Sequence, residues 1–97
     1  MSRVVLDAYV LDALMPDLVG HDRRPSSFLV YLYLWRRSQA ATQPVCASYQ
    51  MIADGTGLSR GSVQSGVKAL ADRELVDIKR KTATAAPVFT LRCHWRS

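Results

Sequence analysis

ASYQMIADGTGLSRGSVQSGVKALADRELV, residues 47–76, carries the two helices on which the fold is decided. Ser48 offers a hydroxyl to cap a helix from Tyr49 to about Gly55, with Met51, Ile52 and Ala53 as its buried set. Gly57 tolerates the left-handed backbone of a turn, Leu58 packs inward, and Ser59 caps a second helix that begins at Arg60. At 100° per residue, Val63, Val67 and Leu70 fall within about 60° of one another, whereas Gly61, Ser65, Lys68 and Asp72 lie opposite. The apolar stripe is narrow. The far side, built of small, polar and basic side chains, is left free.

On the C-terminal side, VDIKRK (residues 76–81) alternates apolar and charged residues, and VFTLRCHW (residues 88–95) keeps Phe89, Leu91, Cys93 and Trp95 in phase. Two half-buried strands follow, with TATAAP between them as the hairpin tip. On the N-terminal side, PVCA (residues 44–47) is short enough for an edge strand. Ser26 or Ser27 caps a helix that runs to about Ser38. Its run FLVYLYLW, residues 28–35, is apolar on every side, so more than one neighbour must cover it. Residues 4–15 show helical spacing at Leu6, Tyr9, Val10, Ala13 and Leu14; Pro16 is expected to end that helix and residues 16–25 to form a turn-rich connection. The expected fold is mainly α with a small antiparallel β wing.

The 97 residues, 48% hydrophobic and 8% aromatic, are enough for one packed core without staples or metals. FLVYLYLW is less than half of a membrane span, and MSRVVLDAYV lacks a signal peptide's charge-then-apolar order, so a cytoplasmic protein with no membrane partner is expected. The net charge of +5 is unevenly placed: residues 1–24 carry three Arg against four Asp, and residues 25–97 carry ten basic against four acidic groups. A basic domain with no basic amphipathic helix points to a nucleic acid before a membrane.

IADGTGLSRGSVQSGVKALADRELV followed by IKRK resembles the winged helix-turn-helix domains of bacterial transcription regulators and of some plasmid or phage replication proteins. The resemblance covers about residues 26–95 and implies a winged helix-turn-helix with an added N-terminal helix: residues 1–25 as helix and linker, residues 26–97 as the core. It implies double-stranded DNA as the partner, with the second helix of the pair in the major groove and the first crossing the backbone. Arg60 can fork onto a guanine edge or a phosphate, and Gln64 can pair with adenine N6 and N7. Ser48 and Ser59, at the two helix starts, and Ser62 and Ser65 are placed for phosphates, while Gly61 keeps the helix thin enough to approach closely. Lys68 can reach a phosphate or pair with Asp72 four residues on. Lys79, Arg80 and Lys81 stand before the hairpin tip, where a wing meets a neighbouring phosphate or minor groove; alternation puts Lys79 and Lys81 opposite Ile78.

A protein of this size is expected to regulate transcription by occupying its site, most simply as a repressor, with room for a protein co-regulator. A replication or partition module, or a winged helix that binds proteins, are the alternatives. The all-round apolar helix over residues 28–35 predicts a homodimer joined mainly by residues 1–36, through Leu6, Tyr9, Val10 and Leu14 on one helix and Leu29 and Tyr33 on the other. No metal, cofactor or catalysis is expected. Cys46, Cys93 and His94 lack a fourth ligand, and Cys93 reads as a small core residue with a redox pairing to Cys46 as the lesser alternative. His21 and Asp22 form an isolated pair in a turn. Glu74 is the sole glutamate, and there is no phosphate loop or nucleophile constellation.

Overall fold

The structure is a computed structural model and describes residues 2–96. An N-terminal arm, helical over Val10–Leu14 and Pro16–His21, precedes α1 (Pro25–Arg37), β1 (Val45–Cys46), α2 (Tyr49–Thr56), α3 (Arg60–Asp72), β2 (Val76–Lys79) and β3 (Val88–Leu91). The three strands form an antiparallel sheet in the order β1-β3-β2, with Val45 opposite Phe89 and Ile78 opposite the same Phe89 from the other side. This is a winged helix-turn-helix with an added N-terminal helix.

The paired helices follow the sequence closely. Ser48 Oγ accepts from Met51 N–H and Ser59 Oγ from Ser62 N–H, each at 3.1 Å, so both helices begin on serine caps. Gly57 closes α2 at φ 80°, a conformation that costs other residues a Cβ clash. Ile52 and Ala53 are buried, but Met51 is 48% exposed, which corrects its place in the expected core. It stands one position before Ile52, on the side that α2 turns to solvent.

The arm departs from expectation. Pro16 does not end the helix, and residues 16–25 are not all connection. In an ordinary helix its ring would meet the carbonyl four residues back. Here the turns open instead: Met15 N–H donates to Val10 O and Asp22 N–H to Asp17 O, five residues back. Wider turns advance less per residue, so Val10, Leu14 and Leu18, spaced by four, all reach the core at 0%, 3% and 0% exposure. The start also differs, because residues 2–7 are not helical. That stretch is fixed by its partners: Trp35 indole N–H donates to Val5 O at 2.7 Å, and Asp7 accepts from Trp95 indole N–H at 2.8 Å and from Arg96 at 2.6 Å.

Within one chain, therefore, the arm covers the face of α1 that was expected to need a second subunit. Val10 and Leu14 are buried in the intrachain core, and their assignment to a dimer interface is corrected on that ground. Leu6 and Tyr9 are half-buried on the same core. Tyr33 is half-buried too, its ring lying where a Cβ on Gly55 would stand, whereas Leu29 is exposed. The arm instead turns Leu11, Met15 and Val19 outward.

Three boundaries shift for local reasons. α1 begins at Pro25, whose fixed φ suits the first helical position, so neither Ser26 nor Ser27 is its cap; the buried Ser27 hydroxyl donates to Arg24 O instead. β2 ends at Lys79, which leaves Arg80 and Lys81 in the wing tip rather than on the strand. β3 ends at Leu91, opposite the first residue of β2. Beyond it the chain turns so that Trp95 stacks on Tyr9 with ring centroids 4.5 Å apart.

Candidate nucleic-acid interface

α3 packs through Val63, Gly66, Val67 and Leu70, all buried, and leaves Arg60, Gly61, Gln64 and Lys68 exposed. The close approach to α1 depends on Gly66, where a Cβ would lie 3.1 Å from the backbone of Ser26. With that side seated, the outward side is a shallow surface bounded on one flank by the sheet. Tyr49 and Ile78 face Gln64, Lys68 and Ala71 across an open groove.

Along this surface the polar groups are arranged to donate. Ser59 Oγ donates to Ser62 Oγ at 3.0 Å while capping the helix, which leaves the Ser62 hydroxyl proton for an outside acceptor. Ser65 Oγ accepts from Arg24 Nη1 at 2.6 Å and likewise keeps its own proton to give. Ser48 caps α2 and, with Arg60, Arg80 and Thr84, lines a second cleft. The Gln64 side chain makes no hydrogen bond among the described residues. Lys68 sits 3.0 Å from Asp72, both largely exposed, so the surface-pair alternative is the one adopted in the free protein. Such a pair contributes only a few tenths of a kcal/mol and yields readily to a phosphate.

The wing brings up Lys79, exposed and opposite Val88, with Lys81 beyond it in the tip. Arg80 turns back, its guanidinium 5.7 Å from the Tyr49 ring centroid and donating to Ala85 O at 3.1 Å. It holds the tip against the start of α2, a role its place in IKRK does not disclose. Arg24 is the residue the sequence misses. Counted with an acidic N-terminal quarter, it is carried by the fold to the middle of α3.

The acidic groups sharpen this pattern. Asp17 and Asp22 hold Arg73, Asp77 holds Arg92, and Asp7 holds Arg96. His21 and Arg73 keep the Asp22 carboxyl below the usual range, and Arg96 with the Trp95 indole does the same for Asp7. Arg24, Arg60, Lys79, Arg80 and Lys81 form no ion pair among the described residues, so these five charges near α3 and the wing are uncompensated. Cys93 lies under Tyr31, its sulfur 3.9 Å from the phenol oxygen, and burial raises both groups above their ordinary values. Cys46 is exposed on β1. Among the described residues no three His, Cys, Asp or Glu side chains are grouped to hold a metal ion.

The helix-turn-helix domain family matches residues 24–76, more than half of the chain. The chain belongs to that family. No curated protein and no solved structure matches it significantly. A helix-turn-helix domain suggests DNA binding, and in this one the match takes in Arg24, α1, α2, α3 and the entry to the wing. No helix among the described residues is long and apolar enough to cross a membrane.

Proposed function

We propose that this helix-turn-helix domain binds double-stranded DNA sequence-specifically and regulates transcription by occupying its site, most simply as a repressor. One observation carries the reading: the outward side of α3 presents small hydroxyl, amide and basic side chains, and Arg24, Arg60, Lys79, Arg80 and Lys81 around it have no carboxylate partner among the described residues, with Lys68 held only by an exposed pair to Asp72. α3 enters the major groove, with Gln64 and Arg60 reading base edges. Ser48, Ser59, Ser62, Ser65 and Lys68 contact phosphates, Gly61 lets the helix come close, and Lys79 and Lys81 bring the wing onto the neighbouring backbone. Arg80 acts chiefly by bracing the tip.

The reading includes a homodimer, joined through Leu11, Met15 and Val19 on the outer side of the arm, with Leu29 as the exposed apolar residue of α1. A two-fold axis through the arms pairs two reading helices on a near-palindromic site.

Selection of duplexes from a random pool, followed by salt titration of the enriched sequence, tests the function. An enriched motif and a log–log salt slope on the order of −4 to −8 for two subunits are expected. No enrichment together with a flat salt dependence refutes it and leaves protein binding as the role. Genomic mapping then separates promoter sites from an origin-type repeat array, which is the mark of a replication or partition module.

A further inference from the structure

The geometry points to Arg24 as a second phosphate grip, on the flank of α3 opposite the wing, so that the protein holds both backbones bordering the groove. The inference rests on the DNA-binding reading above and adds to it a residue from outside the two paired helices and the wing.

Arg24 is placed by the fold. Its N–H donates to Leu18 O at 2.8 Å; its carbonyl accepts from Ser27 N–H at 3.0 Å and from the fully buried Ser27 hydroxyl at 2.7 Å. Pro25 fixes the following residue as the first of α1, and Gly66 lets that helix start lie against α3. From this anchored backbone the guanidinium reaches Ser65, 41 residues away in sequence, at 2.6 Å.

The contact uses one of the five N–H donors of the guanidinium and leaves the rest to an outside acceptor. No carboxylate neutralises it among the described residues. Arg73, the next cation on the same flank, shows the contrast: Asp17 and Asp22 both hold it. If the role of Arg24 were only to staple the arm to α3, a neutral donor would suffice. The arm is in any case held by Leu18 in the core and by those two ion pairs.

The position is specific. At 100° per residue Ser62, Ala69 and Arg73 make one flank of α3 and Arg60, Gln64, Val67 and Ala71 the other, with Ser65 at the border between the first flank and the outward line of Gly61, Lys68 and Asp72. The wing lies on the second of these, with Ile78 and Tyr49 beside Gln64 and Ala71. Arg24 lies on the first. A helix about 10–12 Å across fills a major groove about 12 Å wide, so cations on opposite flanks meet phosphates of opposite strands.

The test compares the wild type with Arg24→Ala, Arg24→Gln, Ser65→Ala and Lys79→Ala on the duplex that the wild type enriches. Arg24→Gln keeps a donor toward Ser65 without the charge. It is expected to retain the wild-type melting temperature, to bind about tenfold more weakly, and to lose about 0.9 per subunit from the salt slope. Ser65→Ala removes a neutral phosphate contact and is expected to weaken binding several-fold while the salt slope, which counts charges, stays at the wild-type value. Single neutral methylphosphonate linkages scanned through both strands are expected to show a position to which Arg24→Gln is insensitive on one strand and one for Lys79→Ala on the other. Arg24 variants that lower the melting temperature but keep the wild-type slope, while Lys79→Ala weakens binding, overturn the grip and leave DNA binding intact. Insensitive positions on the same strand overturn it too. A flat salt dependence in the wild type removes both the reading and the grip.

Discussion

Gly61 and Gly66 lie five residues apart on α3, and the same substitution is expected to stabilise the chain at the first and not at the second. Alanine gains up to about 1 kcal/mol over glycine within a helix. At Gly61 nothing lies within 4 Å of the added Cβ, so nothing opposes that gain. At Gly66 the Cβ would stand 3.1 Å from the carbonyl carbon and oxygen of Ser26 and 3.2 Å from Ser27 Cα. Those are backbone atoms, and relaxed carbon contacts lie at about 3.5–4.0 Å. A side chain could rotate away, but the start of α1 is tied by the Arg24 and Ser27 hydrogen bonds and must shift as a whole. An extra methyl in a filled space costs about 1–3 kcal/mol. Gly66→Ala is therefore expected to be neutral to about 2 kcal/mol destabilising after the helix gain, and Gly61→Ala to be stabilising. For a chain of this length each kcal/mol moves the melting temperature by roughly 4–8 °C, so thermal unfolding followed by circular dichroism resolves the difference. A Gly66→Ala protein that melts at or above Gly61→Ala would refute the close packing of α1 on α3.

Gln64→Ala is expected to change which duplexes are preferred, whereas Lys79→Ala weakens all of them by similar factors; parallel selections on the two variants check this. Asp7 has its carboxyl depressed in the folded chain by Arg96 and Trp95, and titrates near 3.9 when unfolded. The stability it contributes is thus present above about pH 4 and lost as pH falls through the lower folded value. Asp7→Asn should flatten the acid limb of a urea-midpoint profile between about pH 5 and 2; an unchanged profile means the Arg96 pair carries no linkage. Light scattering at micromolar concentration is expected to give the mass of two chains, and Met15→Glu that of one. A single-chain mass for the wild type with intact half-site binding rules out the dimer.

The two paired helices were legible because their signals are local: serine caps, a glycine turn and an apolar stripe act within one or two turns of chain. The wing was legible as alternation, but not its length: β3 ends at Leu91 opposite the first residue of β2, and past that pair the ladder goes no further than Arg92 N–H donating to Leu75 O at 2.8 Å. The arm was misread at Pro16 because proline's effect on a helix assumes ordinary turns, and five-residue hydrogen bonds evade the clash. Val10 and Leu14 were read as free to meet a second subunit for a related cause: once the arm continues to His21, Leu18 joins them in the core of the same chain, and of the large apolar residues of α1 only Leu29 stays exposed. Arg24 was passed over because charge was summed along the sequence, whereas its distance from Ser65 is set by the crossing of α1 and α3.

The open turns of the arm create an ambiguity that apolar packing alone does not resolve. Val10, Leu14 and Leu18 form the inner row; Leu11, Met15 and Val19, each one position later, form an outer row of nearly the same bulk. Rolling the arm by one residue would exchange the rows at little cost in buried area. The observed seating is marked by polar contacts and one stack: Arg73 meets Asp17 and Asp22, Val5 O and Asp7 meet Trp35, Trp95 and Arg96, and Tyr9 lies on Trp95. Exposed ion pairs of this kind add little to stability. Here their effect is to help select one alignment from two that the rows of aliphatic side chains scarcely distinguish, so loss of Asp17 and Asp22 together would loosen the seating of the arm before it unfolded the chain.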